Sequence, residues 1–351
     1  MQETRSWRRA ELAVGALVII AVILSAFALK QTRVVTAPLG FAFFAALLLQ
    51  PIRIAVSRRM PRRLRWLGVA AATVVLVLVF GLLVATAALG VTQAARELPK
   101  HLGRLASAVE PLRSWAEQHG LVGAGGGGGA EGTKVLESAA ATVAKGLSGA
   151  TEFAVLAVFF AVLMLIEAGQ WRKKVARVLP KRGADRVLDA TAASTASVRR
   201  YLLAITSVGL ATAVLEGGFL AVVGIPLALF WALLFFVLNY VPYVGSIIAA
   251  VPPILFAFAT QGLTKGFLVA LGILVIEQVM GNLVAPLVEG RGVRLSPLVV
   301  LAAVSFWGWA WGAIGAVLAV PLTVSLALLC ARVPWLEPVA KVLAEDPDEG
   351  V

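Results

Sequence analysis

Between Arg200 and Lys265 the chain carries one charged residue, Glu216, and from Leu295 to Ala331 it carries none. Uncharged runs of this length have no polar face to offer water, so they need a solvent that is itself apolar. Lipid is that solvent. The composition agrees, with 60% hydrophobic and 14% charged residues against about 45–50% and about 25% in soluble domains. Backbone groups in hydrocarbon must be satisfied within the chain, which favours helices. The expected fold is all-α, a polytopic helical membrane protein built on several long hydrophobic segments.

Four of these segments lie in the first half. Leu12 to Leu29, Val34 to Ile52, Trp66 to Ala95 and Leu147 to Ile166 are uncharged apart from Glu152, and each approaches or exceeds the roughly 20 residues that span a 30 Å hydrocarbon core. The first has the look of a signal peptide, with Arg5, Arg8 and Arg9 ahead of it and Ala26-Phe27-Ala28 at its end; the spans that follow favour an uncleaved helix. With those arginines inside, parity puts Lys30 and Arg33 outside. It also puts two basic clusters inside, Arg53 to Arg65 and Arg172 to Arg200, as the positive-inside rule requires. The net charge of +12 is therefore read as membrane orientation and contact with lipid headgroups, not as a nucleic-acid footprint.

The expected divisions are membrane helices at 1–95, an external helical hairpin at 96–146, a fourth membrane helix at 147–168, a cytoplasmic basic segment at 169–200, a membrane core at 201–332 and a cytoplasmic tail at 333–351. In the hairpin, Leu98, Leu102, Leu105, Val109, Leu112 and Ala116 alternate steps of four and three, a coiled-coil seam interrupted by Pro111. Gly123 to Gly132 follows as a flexible linker. The basic segment reads as two amphipathic pieces broken near Pro180 to Gly183, the first laid along the headgroups.

Length forces breaks in the membrane core. One straight helix from Leu295 to Ala331 would run about 55 Å, more than tilt accommodates in about 30 Å of hydrocarbon. The break is expected at Phe306 to Gly312, where glycines permit close backbone contact and tryptophans favour an interface. The run from Leu227 to Thr260 has the same excess, with Pro242 and Gly245 and then Pro252 and Pro253 as candidate breaks. Discontinuous backbone at membrane depth is tolerated where protein buries it or where it lines a wet route, and transporters place substrate and ion sites there. Packing kinks are the plainer reading.

The polar residues of this core are few, and they are the candidate pathway: Asn239, Tyr240, Pro242, Gly245, Ser246, Glu277, Gln278, Asn282, Pro286 and Ser296, with Glu216. Gln278, Asn282, Pro286 and Glu289 are four, four and three apart, one stripe of a helix from Phe267 to Glu289, with Glu277 about 100° around it. Such a stripe turns inward or toward water. An ionised carboxyl at the centre of a membrane helix costs about 2.5–3.5 kcal/mol on insertion scales, so Glu277 is expected paired, solvated or protonated. Glu216, flanked by Gly217 and Gly218, is under the same constraint. A neutral acid donating to a neighbouring helix is the purely structural alternative for both.

One further pattern joins these residues. Gly224-Ile225-Pro226, Leu238-Asn239-Tyr240-Val241-Pro242-Tyr243-Val244-Gly245, Pro252-Pro253, Glu277-Gln278, Asn282, Pro286, Gly290, Ser296-Pro297, Gly312, Gly315 and Pro321 follow in an order and spacing that resembles the autoinducer-2 exporter family of bacterial membrane proteins. Weaker similarity covers Glu97-Leu98-Pro99, Trp115 and the basic segment before Tyr201-Leu202. The resemblance implies an all-helical inner-membrane transporter with about eight hydrophobic segments, homo-oligomeric with a pentamer among the arrangements, and an elevator-like moving part in the carboxyl-terminal half. It leaves the cargo open: export of autoinducer-2, exchange of sodium or protons, or an unassigned solute. The pentaglycine stretch is a departure from the family pattern.

Enzyme chemistry lacks its raw material. The single Cys330 excludes a disulfide or a multi-cysteine metal site, both histidines (His101 and His119) lie in the external segment, and Asp185, Asp189, Asp346 and Asp348 avoid every apolar block. No phosphate-loop motif is present, so no nucleotide, metal or other cofactor is expected. The expected partners are the bilayer, a small polar solute or a monovalent ion, and further copies of the chain. Asn239, Tyr240, Gln278 and Asn282 supply hydroxyl and amide groups suited to a polyol-like cargo. Two other functions fit the same sequence: a monovalent cation/proton antiporter using Glu277 or Glu216, and a non-transporting envelope scaffold acting through the hairpin. The carboxyl terminus is expected on the inner side.

Overall fold

A computed structural model describes residues 2–86, 88–90, 92, 130–178, 180–241, 244–289, 295–331 and 343. Helices follow one another throughout, and no β-strand occurs among the described residues. In chain order they are α1 (Gln2–Gln31), α2 (Arg33–Arg59), α3 (Leu67–Gly90), α4 (Ala130–Val178), α5 (Lys181–Val223), α6 (Ala228–Leu238), α7 (Val244–Gln261) and α8 (Leu263–Val279). A π-helical turn (Met280–Val284), α9 (Ala285–Glu289), α10 (Pro297–Trp311) and α11 (Ala313–Cys330) complete the set. Seven of the helical runs are long and apolar enough to cross a membrane, and α1, α6 and α10 contain shorter apolar helices. The outer surface is correspondingly apolar, with Val222 at 88% and Leu298 at 78% exposure.

The four amino-terminal segments fall on α1 to α4 as the uncharged runs require. The external seam from Leu98 to Ala116, with Pro111 and Trp115, lies outside the described residues, as do the glycines up to 129 and, apart from 343, the tail from 332 onward. From Ala130 the chain is one helix of 49 residues, about 74 Å long and therefore extending beyond about 30 Å of hydrocarbon. The basic segment at 169–200 differs from two free-standing amphipathic pieces. It is the end of α4 and the start of α5, separated at Pro180, whose φ of −55° and ψ of 145° place it in extended backbone. Proline has no N–H to continue the α4 ladder, so the break falls there and both arms continue into the membrane helices.

Three apolar cores hold the helices. Ala42, Ala45, Leu49, Ala72, Leu76, Ala161 and Leu165 join α2, α3 and α4, with alanines that let the helices approach closely. A second core joins α2, α5, α10 and α11 through Phe44, Leu202, Trp307, Trp311, Ala319 and Val324. The third joins α5, α6, α7 and α8 through Leu220, Trp231, Phe235, Ala249, Phe256, Val269 and Ile273. Helix α5 belongs to two of them: Val198 and Leu202 pack in the second, Leu220 in the third. At one end of the bundle Arg53 donates to the Leu165 carbonyl and Arg199 to Gln50 at 3.2 Å. At the other end Lys30 sits 4.3 Å above the Trp309 ring.

The long run from Leu295 to Ala331 breaks at Gly312, inside the expected segment, where φ 70° and ψ −149° are open to glycine. The two resulting helices pack tightly: a Cβ at Gly315 would come within 1.9 Å of the Trp307 carbonyl oxygen. Of the two candidate breaks between Leu227 and Thr260, the chain uses the one at residues 239–243. Pro252 and Pro253 lie inside α7, which continues through them. Their cost is limited to the carbonyls of Ile248 and Ala249, which lose their donors, and membrane helices accommodate such losses through neighbouring groups.

The close α10–α11 contact sets a stability expectation. Gly315→Ala is expected to cost about 1–3 kcal/mol through overpacking. Gly218→Ala, which meets nothing within 4 Å, is expected to be neutral or to gain up to about 1 kcal/mol from helix propensity. Thermal unfolding in detergent measures both, and equal melting temperatures would contradict the contact.

Candidate functional site

One face of α5 supplies the wall of the site. Leu202, Ile205, Gly209, Thr212, Glu216 and Leu220 recur at steps of three and four and are all buried. Most of the polar groups along this stretch find partners locally. Thr212 donates to the Val208 carbonyl at 3.0 Å, and Thr206, one position round from the face, donates to the Leu202 carbonyl at 2.6 Å. Glu216 is the exception: it is 0% exposed, and neither carboxyl oxygen has a hydrogen-bond partner.

Against this face the chain folds a hairpin. Helix α5 ends at Gly224, φ 82°, with Ile225 donating back to the Leu220 carbonyl at 2.8 Å, the glycine-capped closure common at helix ends. The Trp231 indole then donates to the Pro226 carbonyl at 3.1 Å and fixes the turn into α6. With 11 residues, α6 rises only about 16 Å and cannot cross the membrane alone. It ends at Asn239, whose amide donates to the Ile205 carbonyl at 3.4 Å. That amide stands against Gly209, where a Cβ would lie 2.8 Å from Nδ2. Gly209 is about 21 Å along α5 from its end at Val223. The turn therefore lies at membrane depth, a re-entrant tip.

Several described N–H groups of the tip find carbonyls close by in the chain. Asn239 N–H bonds to the Phe235 carbonyl at 2.9 Å, Val241 to Leu238 at 2.9 Å and Gly245 to Val241 at 2.9 Å. Tyr240 shares a 2.6 Å hydrogen bond with Thr206. The Thr206 hydroxyl hydrogen points to Leu202, so Tyr240 is the donor. Gly245 is required by space, because a Cβ there would sit 1.9 Å from the Leu238 carbonyl oxygen. Ser246, half-buried, follows in the first turn of α7. Pro242 lies outside the described residues.

The third wall is α8 with its continuation. Phe219 of α5 packs against Gly272, and Leu220 shares a core with Ile273. The π turn and α9 also pack on α5; Glu277 lies one turn beyond Ile273, and Glu216 one turn before Leu220. Glu277 is half-buried. The expected stripe of Gln278, Asn282 and Pro286 does not turn inward. Gln278 and Asn282 hydrogen-bond to each other on the exposed side of α8, and Pro286 is exposed beyond them.

The straight helix expected from Phe267 to Glu289 is interrupted by the π turn, in which the Ala285 N–H reaches the Met280 carbonyl. Pro286 explains it. Its ring crowds the Asn282 carbonyl and offers it no N–H, and one added residue in the turn relieves the clash. Ser296 is placed elsewhere: its hydroxyl accepts from the Val299 N–H at 3.3 Å and caps α10 ahead of Pro297.

The structure thus brings Asn239, Tyr240 and Gly245 together with the middle of α5, and places Glu277 and Glu216 on the packed helices α8 and α5. Gln278 and Asn282 form an outward pair. Thr206, Gly209 and Thr212 are participants that hydropathy alone does not reveal; their signal is a recurrence of small and polar residues at helical spacing inside an apolar run. Among the described residues no group of three or more His, Cys, Asp or Glu is placed to hold a metal ion.

Comparison with known proteins supplies the context. The AI-2 transport protein TqsA of Escherichia coli K12 is 29% identical over 318 residues, covering 88% of this chain and 89% of the relative. A putative transport protein of Haemophilus influenzae is 29% identical over 361 residues, covering 99% of each. The putative transport protein YhhT of E. coli K12 is 36% identical over 183 residues, 51% of this chain and 50% of the relative. The profile of the AI-2E family transporters matches residues 17–333. The chain is a multi-pass membrane protein and belongs to the AI-2E family of transporters.

Proposed function

We propose that the chain is a secondary transporter that carries a small polar solute across the bacterial inner membrane by elevator-like alternating access, with its amino terminus on the cytoplasmic side. The observation that carries this reading is the re-entrant α6–α7 tip, which holds Asn239 and Tyr240 at membrane depth against α5. Two further features support it. The α5–α8 core is distinct from the cores that join the remaining helices, so it has the makings of a separate moving body. The sequence has no phosphate loop, which leaves an ion gradient or the solute's own gradient as the source of energy. Autoinducer-2 is the cargo we propose, by analogy with the relative named for its transport and because amide and hydroxyl groups suit a polyol. We further propose a homo-oligomer, since the broad exposed apolar surface leaves room for copies of the chain as well as lipid.

The test is flux of autoinducer-2 in proteoliposomes. Asn239→Ala and Glu277→Gln are each expected to lower it about threefold to tenfold, the scale of one hydrogen bond worth about 0.5–1.5 kcal/mol, with thermal unfolding showing that both variants fold. Full flux in both would remove these residues from the route. A cation-dependent pH change in vesicles without solute would instead identify a cation/proton antiporter.

Removing residues 96–145 separates transport from scaffolding. The transporter is expected to keep measurable flux without this segment. A protein that shows no flux whole and loses every cellular phenotype on the deletion is a scaffold.

A further inference from the structure

The end of the bundle at which Arg53 and Arg199 lie gathers cations from two helices and a loop. Phe41 of α2 packs on Phe153 of α4 with ring centroids 5.6 Å apart, and Arg53 reaches the Leu165 carbonyl. The same offset in sequence at both contacts means that α2 and α4 run parallel and leave the apolar layer together. Arg58 and Arg59 then lie about 8 Å beyond Arg53, and Lys173 and Arg177 about 12–18 Å beyond Leu165.

The return from α2 to α3 is held close by its backbone. The Leu64 N–H bonds to the Pro61 carbonyl at 2.9 Å, and Ser57 donates to the Arg65 carbonyl at 3.1 Å. Gly68, at the start of α3, lies so near α2 that a Cβ would fall 2.1 Å from Ser57 Oγ. These contacts use main-chain groups and leave the charged side chains outward. Arg58, Arg59, Arg63, Arg65, Lys173 and Arg177 are all exposed, and among the described residues none of the six has an acidic partner. Glu167 of α4 is already taken by Lys174.

Apolar side chains stand in the open among these cations. Trp66 is 61% exposed and Trp171 53%, with Leu64 and Met60 beside the arginines of the loop. Cations alone would suit any polyanion. Cations interleaved with exposed tryptophan and leucine, at the ends of membrane-spanning helices, suit a partner that is anionic at one level and apolar at the next. A nucleic acid or a free phosphate makes no use of the apolar groups, and a neutral lipid makes little use of the charge.

We propose that residues 58–66, together with the turns of α4 at Lys173 and Arg177, form a recognition surface for the headgroup of an anionic phospholipid. The guanidinium groups of Arg58, Arg59, Arg63 and Arg65 take its phosphate oxygens in forked hydrogen bonds. Trp66 and Leu64 settle at the boundary between its headgroup and its acyl chains. The surface acts in this way whatever solute the protein carries.

The test is binding of a fluorescent phosphatidylglycerol to the full chain in neutral detergent, in competition with unlabelled molecules. Unlabelled phosphatidylglycerol is expected to displace the probe at least tenfold better than phosphatidylcholine with the same chains, and better than glycerol phosphate by as much. Arg63→Gln and Arg65→Gln are each expected to weaken binding about fivefold, the equivalent of about 1 kcal/mol for each charge near a membrane surface. Trp66→Ala is expected to weaken it too, while Arg33→Gln, at the other end of α2, leaves it unchanged. Equal displacement by phosphatidylcholine, or full binding in both loop arginine variants, overturns the proposal. Displacement by glycerol phosphate as strong as that by the lipid assigns the surface to a soluble anion and overturns the lipid as its partner. A loss in Arg33→Gln equal to that in the loop variants reduces the effect to net charge and overturns the site.

Discussion

Hydrocarbon offers no partner to a backbone N–H or C=O, and this constraint shapes every irregular point in the molecule. The chain interrupts its helices repeatedly between Val223 and Ala313, and at several of these points a specific device limits the loss. Gly224 closes α5 with a hydrogen bond back to Leu220. At the tip Asn239, Tyr240, Val241 and Gly245 turn their N–H groups onto carbonyls three or four residues earlier. The π turn keeps the ladder running past Pro286. Gly312, its N–H on the Gly308 carbonyl, folds α10 onto α11.

Tertiary packing then converts the breaks into a site. Apolar burial contributes little to helix association in lipid, so close approach and polar contacts carry more of the burden. The contacts around α5 follow that rule. Gly209 admits Asn239, Gly217 lies so near α6 that a Cβ would come within 2.6 Å of the Ala232 Cβ, and Gly272 receives the Phe219 ring. Each is a place where the missing side chain sets the distance between elements. The polar tip reaches the middle of α5 because a glycine stands there.

The sequence made some of this legible and concealed the rest for physical reasons. Uncharged length is an absolute signal, so the membrane helices and the excess in Leu295 to Ala331 could be read directly, and the tryptophan and glycine cluster located the break at Gly312. Between Leu227 and Thr260 two proline sites looked alike. The structure separates them: α7 accommodates Pro252 and Pro253, while Gly245 admits a carbonyl contact that makes 239–243 the turn. The π turn was hidden because a period of 3.6 residues presumes an unbroken ladder; of the two orientations expected for the stripe of Gln278, Asn282 and Pro286, inward or toward water, the exposed one is found. Thr206, Gly209 and Thr212 were hidden because hydropathy hardly registers a threonine or glycine among valines and leucines. Glu216 was visible by its charge, but its surroundings depend on the docking of α5 and α8, which no local pattern encodes.

Among the described residues Glu216, with Ser194 and the Trp311 indole, is buried without a hydrogen-bond partner. Thr206, Thr212, Thr323 and Ser325 all return their hydroxyl hydrogens to carbonyls of their own helices, so burying them leaves no unmet donor. A neutral carboxyl buried without a partner forfeits about 1–3 kcal/mol, and an ionised one far more. Glutamine in its place would carry no charge, and leucine would need no partner at all. A structural purpose such as helix docking would be served by either, and Gly217, one residue away, already provides the close contact with α6.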